Sequence, residues 1–470
     1  MSPELVAAFS AIVGERYAVT TDAEKAPFLR EWRDKFFGET PVVLRPGSIE
    51  EVSDIVSLAY RTKTPIVPQG GNTGAVGGQI PYEAGEEIVL SLTRLDRVRA
   101  VDPDANTITV DAGVPLQKIQ EAADRAGRLF PLSLASEGTC QIGGNIATNA
   151  GGTAVLSYGN TRDLVLGLEV VLPDGRVWNG LRGLRKDNTG YDLKNLFIGS
   201  EGTLGIITGA VLKLFPKPAT QATAFVSIPS PAHAVSLLNR MKALAGPALT
   251  TFEILPRIAI EFCLTHVDGA RDPLTTTSPW YCLVELSGSK DAALDDALMT
   301  GLEAAMAAGE ATDAAVAQNE TQSADFWRLR HEISSIQKLE GGSIKHDVSV
   351  PVSKVPELLE RGCEAVEAMI PGARPVPFGH LGDGNIHFNI TQPVGADKAA
   401  FLSQWDAVNA VIHGIVQDLG GSIAAEHGIG RLKRDLMRDV KSDVELDLMK
   451  RIKTAIDPTG IMNPGKVLPD

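Results

Sequence analysis

The sequence predicts an α+β protein of two or three domains, and three observations lead to this fold class. The chain has 470 residues, more than one ordinary hydrophobic core accommodates. Its first half contains short apolar runs that are followed by glycine-rich clusters. From Gln221 onward, strand-like segments alternate with long helical segments and some strands follow one another directly, which indicates an antiparallel sheet with helices.

The first domain is predicted to begin with two capped helices. Ser2 and Pro3 precede an apolar pattern of helical spacing. Ser48 and Glu51 have the spacing of a capping box ahead of a second such pattern. The later elements of this domain are a strand at 66–67, strands at 88–92 and 107–110, a helix from 115 and a hairpin turn at 174–175.

The sequence predicts two boundaries between its parts. A strand over 210–215 runs into a Pro-Lys-Pro sequence, so we place the first domain at 1–218. The second domain is predicted over 219–425, with a helix at 290–307 among its elements. The remaining segment, 426–470, is predicted to be helical at 431–440 and 444–456.

Three glycine-rich clusters are the strongest functional signal of the first domain. They occupy residues 68–78, 143–152 and 199–205. Glycine lets successive backbone N–H groups converge on an anion, which predicts a diphosphate cradle in the first cluster. A glycine-rich surface loop explains one cluster equally well, but three clusters favour one long ligand. No Gly-Lys-Ser/Thr follows, which disfavours ATP hydrolysis.

These clusters resemble the FAD-binding domain of the vanillyl-alcohol-oxidase type flavoproteins. The resemblance implies non-covalent FAD, because Asn72 stands in the region where some relatives attach the flavin through histidine. It also implies that the last segment, 426–470, returns to the flavin. The FAD-binding residues that it implies are Pro68, Gln69, Gly70, Gly71, Asn72, Thr73, Gly74, Gly78, Ser136, Gly143, Gly144, Asn145, Thr148, Asn149, Gly151, Gly152, Glu201, Gly205, Ile206 and Asn463.

Charge and cysteine content exclude several classes of protein. The formal net charge of −14 argues against nucleic acid and anionic membranes as partners. The four cysteines are scattered, which is typical of free thiols in a reducing compartment. We also find neither the basic start of a signal peptide nor a run of about eighteen apolar residues. A cytoplasmic protein that does not span a membrane is therefore expected.

The second domain contains a candidate metal site. His380 and His387 flank a glycine-containing turn, and Glu426 precedes His427 in Ala-Glu-His-Gly. Two imidazoles and a carboxylate are a common ligand set for Zn, Mn or Fe, so we predict His380, His387 and Glu426 as ligands. Hydrogen-bonded structural histidines, and a helix cap at Glu426, are the alternatives.

A 2-hydroxy acid fits the remaining groups. Its hydroxyl and carboxylate can chelate a divalent metal, which lowers the pKa of the hydroxyl. His427 can then act as general base while hydride passes from Cα to N5 of FAD. Arg330 and Lys345 are expected to bind carboxylates, whereas Arg328 is expected on a solvated helix face.

The sequence Trp-Arg-Leu-Arg at 327–330, the lysine fifteen residues later, His-x₆-His-x-Asn and Ala-Glu-His-Gly-Ile-Gly together resemble D-2-hydroxyglutarate dehydrogenases. The resemblance spans nearly the whole chain. It implies substrate binding by Arg330, Ser334, Lys345, Asn389 and His427, and Zn on His380, His387 and Glu426. It further implies oxidation of D-2-hydroxyglutarate to the 2-oxo acid, with electrons leaving to an electron-transfer flavoprotein or a quinone. Threonine is frequent in the family at the position of Ser334.

Three other functions stay open at this point. D-Lactate or D-malate could be the substrate of the same machinery. A metal hydrolase or lyase whose glycine loops bind another phosphate compound is a second rival, and a flavin-binding electron-transfer subunit is a third. The oligomeric state is open as well, a homodimer included.

Overall fold

A computed structural model describes residues 1–290 and 292–469 of the chain. Two compact units form: unit 1 contains Met1–Gly152, Gly159–Lys217 and Glu426–Asp470, and unit 2 contains Thr153–Tyr158 and Pro218–Ala425. The short insertion of residues 153–158 into unit 2 was not anticipated. Asp291, in the helix predicted at 290–307, and Asp470, the last residue of the predicted C-terminal segment, lie outside the described residues.

The α-helices, numbered along the chain, range from one to more than four turns. They are α1 (Pro3–Val13), α2 (Asp22–Leu29), α3 (Ile49–Thr62), α4 (Leu116–Arg125), α5 (Ile142–Thr148), α6 (Val155–Tyr158), α7 (Thr161–Leu164), α8 (Lys194–Phe197), α9 (Pro231–Ala245), α10 (Arg257–His266), α11 (Leu294–Ala307), α12 (Glu320–Ile336), α13 (Val355–Met369), α14 (Lys398–Leu402), α15 (Trp405–Asp418), α16 (Met437–Val440) and α17 (Asp443–Ile456). No helix of the described residues is both long and apolar enough to cross a bilayer.

The strands of the two units do not mix in sequence. Unit 1 has β1 (Ala18–Val19), β2 (Val43–Leu44), β3 (Ile66–Gln69), β4 (Ile88–Ser91), β5 (Val98–Asp102), β6 (Thr107–Asp111), β7 (Arg128–Leu129), β8 (Val165–Val171), β9 (Val177–Gly180), β10 (Ile206–Lys213) and β11 (Phe215–Pro216). Unit 2 has β12 (Thr220–Ile228), β13 (Leu249–Pro256), β14 (Trp280–Gly288), β15 (Asp313–Val316), β16 (Ser343–Ile344), β17 (Val348–Ser349), β18 (Arg374–His380) and β19 (Asn385–Thr391).

Unit 1 contains two larger sheets. The first has the order β1-β2-β4-β3, and β3 runs parallel to β4 before the chain enters the first glycine cluster. The second has the order β5-β6-β10-β8-β9. The predicted hairpin turn is confirmed, because β8 and β9 pair antiparallel and Gly175 has a φ of 89°.

Side-chain capping accounts for the start of α3, with one difference from the prediction. The backbone N–H of Glu51 donates to Ser48 Oγ at 3.2 Å, as expected of a cap. The carboxylate of Glu51 instead accepts from the backbone N–H of Gly47 at 2.7 Å. The bond that would complete the capping box is therefore made one residue earlier, and the predicted box is only half formed.

The prediction of a helix over 431–440 is wrong, because only α16 forms there. The backbone N–H groups of Arg431 and Leu432 both donate to the carbonyl of Val76, at 2.9 and 3.0 Å. Their hydrogen bonds thus go to the first glycine cluster and not to a helical turn. The helix predicted at 444–456 is confirmed as α17, and the one predicted at 290–307 is α11, which begins at Leu294.

Unit 2 is built on an eight-stranded sheet, which confirms the antiparallel sheet that the sequence predicts. Its order is β15-β12-β14-β13-β18-β19-β16, and β17 also pairs with β19. Helices α10 and α12 cover one face, where Ile260 of α10 and Leu329 and Ile333 of α12 share a buried cluster with Leu255 and Phe378 of the sheet. The sheet therefore holds β13, β18 and β19 side by side at its centre, under α12.

Candidate active site

The first glycine cluster of unit 1 forms one wall of a cavity. Helix α5, the turn before β10 and the half-buried His427 complete it. The predicted cofactor residues on this wall are Pro68, Gln69, Gly70, Gly71, Asn72, Thr73, Gly74, Gly78, Gly143, Gly144, Asn145, Thr148, Glu201, Gly205 and Ile206. Within unit 1, the cavity thus brings all three glycine clusters together with the predicted general base.

The backbone of the first cluster has the character of an anion site. Among the described residues, none accepts a hydrogen bond from the backbone N–H of residues 70 to 74. Five successive donors on a cavity wall match the convergent N–H groups that bind phosphate. A Cβ on Gly71 would lie 2.1 Å from the carbonyl oxygen of Thr139, so only glycine permits this close approach.

Helix α5 presents a second surface that fits a bound cofactor. A Cβ on Gly144 would have no heavy atom within 4 Å, and this exposed residue lines the cavity. Gln141 Oε1 and Asn145 Oδ1 line the same cavity and are buried without a hydrogen-bond partner in the described structure. Buried polar atoms of this kind require a partner, and the polar edge of a cofactor can provide it.

Five predicted FAD residues do not line this cavity, and three of them shape the backbone nearby. Asn149 ends α5 with a φ of 52°, and its Oδ1 accepts from the backbone N–H of Arg162 at 2.9 Å. The carbonyl of Ser136 accepts from the backbone N–H of Cys140 at 2.8 Å. A Cβ on Gly152 would lie 2.5 Å from the carbonyl oxygen of Ser133.

Asn463 and Gly151 are the other two predicted FAD residues that do not line the cavity. Asn463 Nδ2 donates to the carbonyls of Gly78 at 3.0 Å and Glu201 at 2.8 Å, so this buried side chain holds two parts of the cavity wall together. A Cβ on Gly151 would lie 3.0 Å from Glu426 Oε1. Direct flavin contact stays a prediction for these five residues and for the fifteen that line the cavity.

Glu201 has a structural function that the sequence did not indicate. Its buried carboxylate accepts from the backbone N–H groups of Ile429 at 2.7 Å and Gly430 at 2.8 Å. These bonds fix the segment that follows His427. Burial raises the pKa of Glu201 to about 7, although the two N–H groups and Lys433 favour the charged form.

The sequence argument missed several residues on the cavity wall: Val76, Gln79, Leu92, Ala112, Gln141, Ala147, Gly202 and Ile207. Val76, Ala147 and Gly202 lie inside the three glycine clusters, Gln79 directly follows the first cluster, and Gln141 lies two residues before the second, so the sequence offered a signal for these five. Gln79 Nε2 donates to Asn72 Oδ1 at 3.1 Å and to the carbonyl of Gly74 at 3.0 Å. These two bonds hold the loop of the first cluster in its conformation. Leu92, Ala112 and Ile207 lie outside the clusters and carried no local signal.

The second group of predicted residues lies on the central strands of unit 2. Strand pairing sets Glu253 of β13 opposite His380 of β18, and Phe378 of β18 opposite His387 of β19. Side chains of directly paired residues, and of every second residue along one strand, lie on the same face of a sheet. Glu253, His380, His387 and Asn389 therefore all point to the same side. The rings of His380 and His387 have centroids 5.4 Å apart.

Glu253 links two of the predicted residues. Its Oε1 lies 2.5 Å from His380 Nδ1, and Arg330 Nε donates to its Oε2 at 2.5 Å. The Glu253 side chain is completely buried. Burial alone would raise the pKa of Glu253, but the adjacent Arg330 and His380 hold it well below its usual range.

The other predicted substrate residues have nearby partners in unit 2. Lys345 Nζ donates to the carbonyl of Ser334 at 3.1 Å, so these two residues are adjacent. Asn389 is buried, and its Nδ2 donates to Gln337 Oε1 at 2.7 Å. His387 Nδ1 lies 3.8 Å from Asp347 Oδ1.

Glu426 is the residue at which the chain re-enters unit 1, directly after Ala425. The helix-cap alternative for Glu426 has no helix start beside it, because the next helix is α16 at Met437. The roles of His380, His387 and Glu426 as metal ligands stay predictions.

Comparison with known proteins decides the family. A model of the FAD binding domain matches residues 40–180, and a model of the C-terminal domain of FAD linked oxidases matches residues 217–467. The chain belongs to the FAD-linked oxidase family. It is therefore an FAD-dependent enzyme, and the glycine-lined cavity of unit 1 has the donors and the open surface that the cofactor requires.

The relatives of this member of the FAD-linked oxidase family specify the type of enzyme. A probable mitochondrial D-2-hydroxyglutarate dehydrogenase of Oryza sativa subsp. indica is 37% identical over 466 residues, 99% of this chain and 81% of the relative. A D-2-hydroxyglutarate dehydrogenase of Xanthomonas citri pv. viticola is 36% identical over 448 residues, 95% of this chain and 93% of the relative. The protein is an FAD-dependent dehydrogenase similar to these enzymes.

A solved structure supports the fold. p-Cresol methylhydroxylase with substrate bound superposes with a TM-score of 0.75 at 16% identity, covering 99% of this chain and 96% of that one. The predicted fold class, a vanillyl-alcohol-oxidase type FAD-binding domain with an additional α+β domain, is confirmed.

Proposed function

We propose that this dehydrogenase oxidises D-2-hydroxyglutarate to the corresponding 2-oxo acid. The observation that carries the proposal is the position of His427 on the wall of the glycine-lined cavity, beside the three glycine clusters. A general base has to lie where the cofactor is reduced. The similarity to D-2-hydroxyglutarate dehydrogenases over 99% of the chain supports the choice of substrate.

Arg330 and Lys345 are the proposed carboxylate-binding residues. The Nε of Arg330 donates to Glu253. No other nitrogen of this guanidinium donates to a described residue. The two terminal nitrogens are thus the edge that can pair with a substrate carboxylate, a geometry that suits arginine. Lys345 lies beside Ser334 and provides the second cation. Two cations favour a diacid over lactate, which has one carboxylate.

A divalent metal, Zn in particular, is proposed on His380, His387 and Glu426. The two rings are close, and the contact between His380 Nδ1 and Glu253 directs the other nitrogen, Nε2, to a cation. Two imidazoles and a carboxylate are a usual zinc set. Bound FAD supplies the oxidant for the Cα–H bond, and the metal supplies positive charge that lowers the pKa of the substrate hydroxyl.

The residues of the chain then have distinct tasks. Arg330, Lys345 and Asn389 hold the substrate, and Ser334 is a further proposed contact through its hydroxyl. His427 accepts the proton of the substrate hydroxyl as the Cα–H bond is broken and two electrons leave the substrate. The oxidation releases a proton and a hydride; the imidazole of His427 takes the proton, and FAD is the acceptor of the hydride. We further propose an electron-transfer flavoprotein or a quinone as the final electron acceptor, and a cytoplasmic location.

Replacement of His427 tests the base assignment. His427→Ala is expected to retain bound FAD and metal but to slow flavin reduction by substrate by roughly 10²- to 10⁴-fold, the usual contribution of a general base. His233→Ala is the matched control, because His233 contacts Ser230 at the start of α9 through Nδ1. Flavin reduction at the wild-type rate in His427→Ala would remove the base assignment.

Rates with acids of different length test the substrate. The value of kcat/KM is expected to be higher for D-2-hydroxyglutarate than for D-malate and higher for D-malate than for D-lactate. If D-lactate matched or exceeded D-2-hydroxyglutarate, the proposed substrate would be wrong while the flavin chemistry would stand.

A further inference from the structure

Glu253, a carboxylate of unit 2, directly joins a proposed metal ligand to a proposed substrate-binding cation. It belongs to β13, and strand pairing sets it opposite His380. Its two oxygens are divided between the two partners, with Oε1 on His380 Nδ1 and Oε2 on Arg330 Nε, each at 2.5 Å. Such short, charge-assisted contacts fix both partners with little rotational freedom.

A purely structural explanation of this cluster is weak. A buried ion pair is seldom more stable than apolar residues of the same volume, because both charges lose their hydration. Helix α12 is already held on the sheet by Leu329 and Ile333, which pack with Phe378 in one buried cluster. Arg330 also lies over the Phe378 ring, with its guanidinium carbon 4.8 Å from the ring centroid. Apolar packing and the ring of Phe378 thus attach α12 to the sheet in addition to any contribution from Glu253.

The first consequence of Glu253 concerns His380. A carboxylate on Nδ1 selects the tautomer and the rotation of the ring, so that Nε2 becomes the nitrogen that binds a metal. It also makes the imidazole a stronger donor. Replacing such a carboxylate usually costs about 10- to 100-fold in metal affinity.

The second consequence concerns Arg330. With Nε on Glu253, the guanidinium plane is set and its terminal nitrogens are kept as a pair, the edge that binds a carboxylate through two parallel bonds. A guanidinium without this contact could rotate about its last torsions. The substrate carboxylate would then have to order it on binding, which weakens binding.

We propose that Glu253 is a positioning residue that sets the metal ligand His380 and the substrate-binding Arg330 in one fixed relation. The proposal rests on the proposed function, since it assumes both the metal and the diacid substrate. It adds that the two sites are coupled through one side chain. A change at Glu253 is therefore expected to weaken metal binding and to raise the KM for the diacid together.

The test compares two carboxyl residues of the same sheet. Glu253→Gln keeps the volume and removes the charge. Glu285→Gln is the matched control, because Glu285 lies on the neighbouring strand β14 and accepts instead from Trp327 Nε1 at 2.8 Å. Zinc affinity, measured by competition with a chromophoric chelator, provides a readout that needs no turnover, and KM and kcat for D-2-hydroxyglutarate are measured at saturating zinc.

The expected result is a loss of roughly 10- to 100-fold in zinc affinity for Glu253→Gln. A raised KM that persists at saturating zinc is expected as well, with both quantities unchanged in Glu285→Gln. If Glu253→Gln does not fold, Glu253→Asp decides, because it keeps the charge but is too short to reach both partners and should lose zinc affinity in the same direction. Wild-type zinc affinity and KM in a folded Glu253 variant would overturn the proposal.

The wild-type protein separates this proposal from the proposed function. A wild type that binds no divalent metal, or that does not reduce its flavin with D-2-hydroxyglutarate, would refute the function on which the proposal rests. A wild type that does both, beside a Glu253 variant that is unaffected, would refute only the role of Glu253.

Discussion

Two adjacent glycines of α5 are expected to respond in opposite ways to the same substitution. Gly143 and Gly144 both lie in this helix of seven residues. A Cβ on Gly143 would lie 2.7 Å from the Cβ of Ala112 and 3.0 Å from its carbonyl oxygen, whereas a Cβ on Gly144 would meet nothing within 4 Å. Gly144→Ala therefore adds a methyl group to the cavity wall, and Gly143→Ala adds one to a packed interior.

The magnitudes follow from helix propensity and from packing. Alanine is more stable than glycine in a helix interior by about 0.8–1 kcal/mol, so Gly144→Ala is expected to stabilise the FAD-free protein by up to about that amount. A methyl group that protrudes into an occupied site costs about 1–3 kcal/mol, which corresponds to FAD binding weakened by roughly 5- to 150-fold. Gly143→Ala is expected to destabilise the FAD-free protein, since the overlap with Ala112 exceeds the gain in propensity.

The assay combines thermal unfolding of the FAD-free protein with titration of FAD, followed by quenching of its fluorescence. For Gly144→Ala, a Tm equal to or above that of the wild type together with a raised Kd is the expected pair of results. A domain of this size shifts by roughly 2–4 °C per kcal/mol, so the change in Tm is measurable. If Gly144→Ala bound FAD as tightly as the wild type, the exposed face of α5 would not be the cofactor face.

Two further predictions concern buried acids. Because the folded pKa of Glu201 is raised from 4.5 to about 7, its contribution to stability is complete below about pH 4.5 and is lost between that pH and about 7. The neutral Glu201→Gln variant should therefore lose about 3 kcal/mol less than the wild type over this interval, at about 1.4 kcal/mol per pKa unit, and parallel curves of Tm against pH would contradict the assignment. Burial raises the pKa of the Cys263 and Cys363 thiols to about 12, so iodoacetamide should label the native protein at pH 8 at least ~100-fold more slowly than the denatured protein, and equal rates would show that these thiols are accessible.

The glycine clusters could be predicted from the sequence because their function depends on local backbone geometry. A glycine-rich stretch after a strand has few alternative uses. The N–H groups of residues 70 to 74, which have no acceptor in the described part of the chain, agree with the anion site that it predicts. The proximity of His380 and His387 was predictable for a similar reason, because only a short turn separates them in the sequence.

Long-range pairing was not predictable in the same way. Glu253 lies in a strand of mostly apolar residues, 127 positions before His380, and only the alignment of β13 with β18 brings the two together. Glu201 was assigned to FAD from resemblance alone, whereas its carboxylate binds backbone groups more than two hundred residues later. No local pattern indicates such contacts.

The error at 431–440 has the same physical origin. The sequence there is compatible with a helix, but the carbonyl of Val76 accepts the N–H groups of Arg431 and Leu432 and so removes them from a helical ladder. A tertiary hydrogen bond thus overrides a local preference. The preference of α17 persists because its own cap, Ser442 with Glu445, is formed within the segment.

Anaerobic reduction of the bound flavin tests the central claim most directly. The visible spectrum of the metal-replete protein is recorded before and after addition of D-2-hydroxyglutarate, D-malate, D-lactate or their L-forms, with and without a chelator. Rapid bleaching of the flavin band by the D-diacids, which the chelator abolishes, is the predicted result. A flavin band that none of these hydroxy acids bleaches would leave the fold and the family intact and would contradict the proposed function.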